Sequence, residues 1–355
     1  MPPAFLKSDI AEIARNLGDT AAAFSGKTVL LSGGRGFLGR YFIEVFSYLN
    51  EQVLKKPCRL LVLDNLITAG KEGAALRKMP HYRFVNHNVV KPFKCSEKLD
   101  FIIQAAGIAS PYYYRAFPLE TLEVATLGTK NMLNLAQEKG AKLLFFSSSE
   151  IYGDPDPKHV PTAESYRGNV SCHGPRACYD ESKRLGETLC CVFHTKFGTA
   201  ATMVRPFNVF GPGMQEADYR VLPNFANRIK GNHPLSLYGS GRQTRTFCYI
   251  TDAMAGFLKA LVKGVSGEAY NIGNPKPELS MRELVKRVEK VLRKKIRHNI
   301  VEYPDSYPAD EPNRRCPDIT KARLQLGYEP RVDLDEGLRR FFTWADTVYT
   351  GSLTP

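Results

Sequence analysis

Two observations place this chain in the α/β class, as a doubly wound parallel sheet followed by a smaller, partly interleaved C-terminal lobe. From Lys27 onward, short apolar runs alternate with helix-length segments. Directly after the first run comes a glycine-rich turn, Ser32-Gly33-Gly34-Arg35-Gly36-Phe37-Leu38-Gly39. The runs Lys27–Leu31, Arg59–Leu63, Tyr82–Val85, Phe101–Gln104, Leu143–Phe146 and Ala201–Val204 are expected as strands. Intervening segments of crossover length are what parallel pairing with helices on both faces requires.

Taken in order, residues 1–26 form an extension before the first strand. Asp9 with Glu12 suggests a capping box, and Ile10, Ile13 and Leu17 fall at helical spacing, so a short helix packed on the main body is expected. Residues 27–205 carry the strand–helix alternation. After Arg205 the texture changes: Gly211-Pro212-Gly213 and Gly239-Ser240-Gly241 punctuate short, mixed elements. Residues 206–246 and 263–355 are assigned to a substrate lobe, while 247–262, with a long amphipathic pattern after Asp252, returns to the sheet domain.

Composition narrows the class. A chain of 355 residues with 43% hydrophobic and 24% charged residues has the make-up of a soluble globular protein. No apolar run approaches the roughly 20 residues of a membrane helix, and the start lacks a signal-peptide pattern, so a cytoplasmic location and no membrane partner are expected. The net charge of +13 raises the question of nucleic acid. Its densest cluster, Arg293-Lys294-Lys295 with Arg297, follows Leu284, Val288, Val291 and Leu292 and reads as a helix C-terminus favoured by the dipole. No nucleic-acid partner is expected; the charge suits an anionic small substrate. Eight cysteines include no Cys-x-x-Cys pair and no zinc-like spacing with histidine, so reduced thiols and no metal are expected.

The residues that carry chemistry lie at strand ends. Gly33, Gly36 and Gly39 permit a tight turn, close backbone approach to a diphosphate and close packing of the next helix, with Phe37 and Leu38 opening that helix. This is a Rossmann-type dinucleotide site. Asp64 and Asn65 end the second strand, where a carboxylate accepts from the adenosine ribose and repels a 2′-phosphate; NAD is therefore the expected cofactor. Asn88 and Val89 close the third strand beside the adenine, and Ala105 and Gly107 follow the fourth. Ser147-Ser148-Ser149 ends the fifth strand at the ligand crevice. Tyr179 and Lys183, four apart on one helical face, suit proton removal from an alcohol, the ammonium pulling the phenol pKa down.

Together, Gly33–Gly39, Asp64, Ser147–Gly153, Tyr179–Lys183 and the run Arg205–Pro212 resemble the extended short-chain dehydrogenase/reductases that act on nucleotide sugars. The likeness covers roughly residues 27 to 345. Ser149–Pro155, Gly174–Glu181, Tyr238–Arg245, Pro317–Ile319 and Leu326–Pro330 are most similar to the UDP-glucuronate decarboxylase group. The resemblance implies Tyr179 as base at the sugar 4-hydroxyl, Lys183 on the nicotinamide ribose, Ser148 bridging the 4-oxygen and Glu150 as the catalytic carboxylate. It places Ser149, Asn208, Arg220, Tyr238 and Arg245 on the substrate side, and implies a nucleotide-sugar substrate and a homodimer paired through the Leu185, Leu189, Val192 stripe.

The sequence departs from that group at Glu123-Val124-Ala125, which replaces Lys-Thr-Asn, at Gln104 for histidine and at Asn88 for aspartate. A 4,6-dehydratase, a C4-epimerase and a catalytically inactive NAD-binding scaffold are the other readings. Loss of Tyr179, Lys183 or Ser148 would mark the scaffold, and all three are present.

Overall fold

The computed structural model describes residues 5–69, 79–303 and 312–352. The sheet begins with β1 (Thr28–Ser32), whose five residues are all buried, as a strand covered on both faces must be. It continues with β2 (Arg59–Asp64), β3 (Tyr82–Asn86), β4 (Phe101–Gln104), β5 (Lys142–Phe146) and β6 (Ala201–Pro206). Short strands β7 (Val209–Phe210), β8 (Leu235–Tyr238), β9 (Thr244–Arg245) and β10 (Cys248–Tyr249) then lead to β11 (Ala269–Ile272). The central seven-stranded sheet has the order β11-β6-β5-β4-β1-β2-β3, and every pair in it is parallel.

The chain winds outward from β1 to β3, then crosses back to β4 on the other side of β1. That reversal opens a crevice at the carboxyl ends of β1 and β4, where Ser32 pairs in register with both Leu63 and Gln104. One face of the sheet is covered by Ile13, Phe24, Phe42, Phe46 and Phe257, the other by Met132, Leu133, Phe145 and Phe193.

The N-terminal helix is present at Lys7–Leu17, but it starts two residues before Asp9, and Leu6 caps it with no side-chain hydrogen bond. Asp9 is not part of a capping box. It is fully buried, accepts a 2.6 Å hydrogen bond from the Tyr249 hydroxyl and pairs with Arg340 at 3.1 Å. Glu12 pairs with the same guanidinium at 2.8 Å and accepts from the Thr251 hydroxyl. A better use for both carboxylates exists in tertiary contact than at the helix end.

The lobe contains the helices Val221–Lys230, Met281–Leu292 and Leu334–Val348. Its short strands β12 (Leu279–Ser280), β13 (His298–Val301) and β14 (Arg314–Arg315) pair with β9, β8 and β9 respectively. Helix Ile250–Lys263 packs on the sheet domain, buried almost throughout. The return does not end at 262, because β11 pairs with β6 at Met203–Pro206 and helix Thr320–Leu326 packs beside it. A four-residue strand containing Asn271 carries too little periodicity to be read from sequence.

Burial pushes the Asp9 carboxyl up to about 6, against the Tyr249 hydrogen bond and the Arg340 charge. Its protonated form is thus favoured in the fold; that advantage is complete below the unfolded value and gone above about 6, so at pH 8 Arg340 faces a buried carboxylate. Arg340→Met is expected to cost about 3 kcal/mol at pH 8 in urea unfolding. The loss should be clearly smaller at pH 5, where Asp9 is largely protonated.

Candidate active site

The glycine turn fits a dinucleotide by what it leaves out. A Cβ on Gly33 (φ +71°) would lie 2.6 Å from the Ala106 backbone, and one on Gly39 would lie 2.1 Å from the Gly33 carbonyl oxygen. Gly36 is different: its nearest neighbour is 3.6 Å away, so its missing side chain leaves space in the cleft. Gly36 is also the N-cap of helix Phe37–Gln52 and supplies no side-chain cap, so the first-turn amides face that space. Gly33, Gly36, Phe37, Leu38, Asp64, Asn65, Asn88, Val89, Ala105 and Gly107 all line this one cleft. The Asp64 carboxylate is fixed by the amides of Arg35 (2.8 Å) and Leu66 (2.7 Å), and burial raises its pKa.

Two sequence departures find a place here. Gln104 is fully buried; its carbonyl oxygen accepts from the Ser32 hydroxyl, and its amide donates to the Val124 carbonyl at 3.5 Å. Glu123 lines the cofactor cleft with Glu120 and is absent from the wall of the sugar-side pocket. Its negative charge therefore stands at the dinucleotide end.

Tyr179 and Lys183 project from helix Ala177–Phe197 into the adjoining pocket, which shares Phe37, Leu38, Ala105, Gly107 and Arg220 with the cleft. Lys183 Nζ donates to the Phe146 carbonyl at 2.7 Å and sits 5.6 Å from the Tyr179 ring centroid. Tyr114 stacks on the other side, 5.4 Å from the Tyr179 ring at 17°. The electrostatics differ from the sequence expectation. Burial pushes the Tyr179 phenol up to about 12; a hydrogen bond with Ser148 and the Arg220 charge oppose this, while Glu150 and Asp180 add to it. Burial also lowers Lys183 to about 8. A dry site penalises both ions, so the lysine's charge does not dominate the phenol.

Glu150 is the best-held side chain in the pocket. Both Arg315 guanidinium nitrogens donate to it at 2.6 Å, and Arg176 donates to it as well. Arg176 also reaches Asp180 at 3.5 Å, whose buried carboxyl is pushed well above the usual range by desolvation and the Glu150 charge. Arg176, Asp180, Arg315 and Tyr114 carry no assigned role in the sequence reading. Arg315 lies 165 positions from Glu150, a separation no local spacing reveals. The Tyr112-Tyr113-Tyr114 run was the one visible signal for Tyr114.

The remaining predicted residues, Ser148, Ser149, Asn208, Arg220, Tyr238 and Arg245, line the same pocket. Tyr238 stacks on Tyr303 with centroids 5.6 Å apart, Arg220 pairs with Asp218, and Asn208 donates to the Thr246 carbonyl at 2.8 Å.

With this geometry in place, residues 29–273 match the NAD dependent epimerase/dehydratase family. The chain belongs to that family. It is 38% identical over 317 residues to UDP-glucuronic acid decarboxylase 5 of Arabidopsis thaliana, covering 88% of each chain. It is 38% identical over 316 residues to UDP-glucuronic acid decarboxylase 1 of Xenopus tropicalis, covering 88% of this chain and 71% of that one. Among solved structures, an epimerase of Methanothermobacter thermautotrophicus superposes with a TM-score of 0.78 at 27% identity, covering 92% of this chain and 94% of the other. NAD is the family's cofactor, and the glycine cradle with Asp64 fits it.

Lys183 yields a stability prediction. Its folded pKa, about 8, lies below the unfolded value of 10.5, so burying the ammonium carries a penalty complete below pH 8 and absent above 10.5. At pH 7 that penalty is on the order of 3 kcal/mol. Lys183→Met is expected to raise Tm at pH 7 despite removing a site residue, with the advantage over wild type shrinking as thermal scans move from pH 7 toward 10.

Proposed function

We propose that the protein is an NAD-dependent UDP-glucuronate decarboxylase that works through a 4-keto sugar. The observation that carries this reading is the charge of the sugar-side pocket. Among the described residues in its wall, Glu150 is the one carboxylate, against Arg176, Lys183, Arg220, Arg245 and Arg315. A nucleotide diphosphate needs part of that positive charge. The rest suits a substrate with a further anionic group, as a uronic acid has.

In the proposed reaction Tyr179 acts as the phenolate and receives the proton of the sugar 4-hydroxyl, with Ser148 hydrogen-bonding the same oxygen; burial opposes that ionised form, and Lys183 together with the positive charge of a bound nicotinamide would favour it. Lys183 holds the cofactor ribose beside them. Bound NAD supplies the hydride acceptor for C4 and later the donor. A ketone at C4 is β to the C6 carboxylate, so carbon dioxide leaves with its bonding electrons passing to C5 and O4. Ser148 and Tyr179 stabilise the resulting oxyanion. Arg245 offers its guanidinium to the departing carboxylate, and Glu150, held by Arg176 and Arg315, orients a solvent water that gives its proton to C5, the hydroxide left over joining the carbon dioxide as bicarbonate. The net change replaces one carboxylate by one proton.

The 4,6-dehydratase reading needs Glu150 to move protons during water elimination. Both Glu150 oxygens already accept from Arg315 and one also from Arg176, so the carboxylate is tied to the protein rather than free to reach the sugar, which counts against it. A C4-epimerase has no need of Glu150. An inactive scaffold would have little reason to keep Tyr179, Lys183 and Ser148 in one pocket.

We also propose a homodimer. Leu119, Leu122 and Leu127 are exposed on elements packed against helix Ala177–Phe197, whose Leu185 and Val192 are exposed too, and an apolar face of this kind suits a second copy of the chain. Among the described residues no helix is long and apolar enough to cross a membrane, and all eight cysteines are free, which suits the reducing cytoplasm.

Incubation with NAD and a panel of nucleotide sugars tests the activity. Loss of carbon dioxide from UDP-glucuronate, followed by mass spectrometry, is expected; turnover of another sugar with UDP-glucuronate untouched overturns the reading. Tyr179→Phe is expected to lower kcat by on the order of 10²- to 10⁴-fold while NAD affinity stays within about twofold. For the assembly, Leu185→Glu is expected to give a monomer by light scattering where the wild type gives a dimer.

A further inference from the structure

The loop Gln215–Arg220 is rooted in one lobe and fastened to the other. From behind, the Glu216 carboxylate accepts from the amides of Thr350 and Gly351, both at 2.8 Å, which fixes the loop to the lobe. In front, Gln215 donates to the carbonyls of Thr68 (3.2 Å) and Ala69 (3.1 Å), just beyond β2, and accepts from the Tyr113 hydroxyl at 3.4 Å. Tyr219 lies flat on Tyr112, ring centroids 5.2 Å apart at an interplanar angle of 6°. Tyr112 opens the short helix after β4, so this stack ties the loop to that helix, whose Tyr113 lines the cofactor cleft.

The position of these contacts matters more than their number. Gln215 and Asp218 line the cofactor cleft together with Gly36 and Asp64, and Arg220 borders both cleft and sugar pocket. A ligand filling the cleft therefore meets both the glycine turn and this loop. Both stacked rings are substantially exposed, Tyr112 at 45% and Tyr219 at 40%, so neither serves as core. A stack of exposed rings contributes little to global stability, yet it ties the loop carrying Gln215 and Asp218 to the helix carrying Tyr113, and all three residues line the cleft.

We propose that Gln215 and Tyr219 act as a clasp that retains the dinucleotide between turnovers. The inference rests on the reading that NAD binds this cleft and is restored within each catalytic cycle. A reaction whose final step needs the hydride removed in its first step gains from a cofactor that leaves slowly. The clasp meets that need with contacts among the loop, Thr68, Ala69 and the Tyr112–Tyr113 pair.

The test follows release of radiolabelled NAD from the full-length protein during a chase with excess unlabelled NAD. Gln215→Ala, Tyr219→Ala and Tyr112→Ala are each expected to speed release roughly three- to tenfold. The Tyr112→Ala/Tyr219→Ala double variant should match either single change, because either removes the same stack. Tyr219→Phe, which keeps the ring, should retain slow release, as should Leu324→Ala, a remote exposed position. Release within twofold of wild type in both Gln215→Ala and Tyr219→Ala overturns the clasp, as does Tyr219→Phe releasing as fast as Tyr219→Ala. Failure of the wild type to take up NAD overturns the cofactor reading beneath it, a separate result from a bound cofactor that leaves at one rate in every variant.

Discussion

At the point where the sheet reverses direction, a buried hydrogen bond between the Ser32 hydroxyl and the Gln104 side chain ties β1 to β4. The same hydroxyl accepts from the Ala106 amide at 3.3 Å, so the turn after β4 is held as well. Gly33 fits against that turn only because it lacks a Cβ. The glycine cradle, the wall formed by Ala105 and Gly107, and the space occupied by Lys183 all take their positions from this junction. A sheet can twist and still be a sheet; the crevice at its switch point tolerates much less. Polar side chains buried there have few alternative partners, and that is what makes the geometry unique.

The site is organised around the cost of charge in a dry place. Tyr179 and Lys183 each pay for burial, and neither gains enough from the other to titrate normally. Glu150 is held by Arg176 and Arg315, which supply bidentate and charge-assisted hydrogen bonds. The pocket lining is thus cationic even with Asp180 and Asp218 paired to Arg176 and Arg220. A dianionic diphosphate and a carboxylated sugar would bring the compensating charge. Placing Glu123 and Glu120 at the cofactor end keeps their negative charges out of that balance.

Sequence reasoning reached what is local. Strands of four to six residues with buried runs, a glycine turn between strand and helix, and a tyrosine four residues before a lysine all leave their mark within a short window. It did not reach partners set by the tertiary fold. Asp9 looked like a capping residue because the local pattern allowed it, whereas its real partners, Tyr249 and Arg340, lie 240 and 331 positions away. Arg315 escaped notice for the same reason. The phenol pKa was misjudged because spacing shows a nearby charge but hides desolvation, which here is the larger effect. β11 was missed because four residues with an asparagine among them give no periodic signal.

The pairing of Asp9 with Arg340 has a temporal side. The helix Lys7–Leu17 is synthesised well before its guanidinium partner, which follows more than three hundred residues later. At typical elongation speeds of about 5–20 residues per second, the two are separated by tens of seconds. Until Arg340 arrives, a helix docked on Phe37–Gln52 and Ile250–Lys263 has only the Tyr249 hydroxyl to offer Asp9, so its seat is weaker. The contact thus fastens the first helix more firmly once the helix Leu334–Val348 exists.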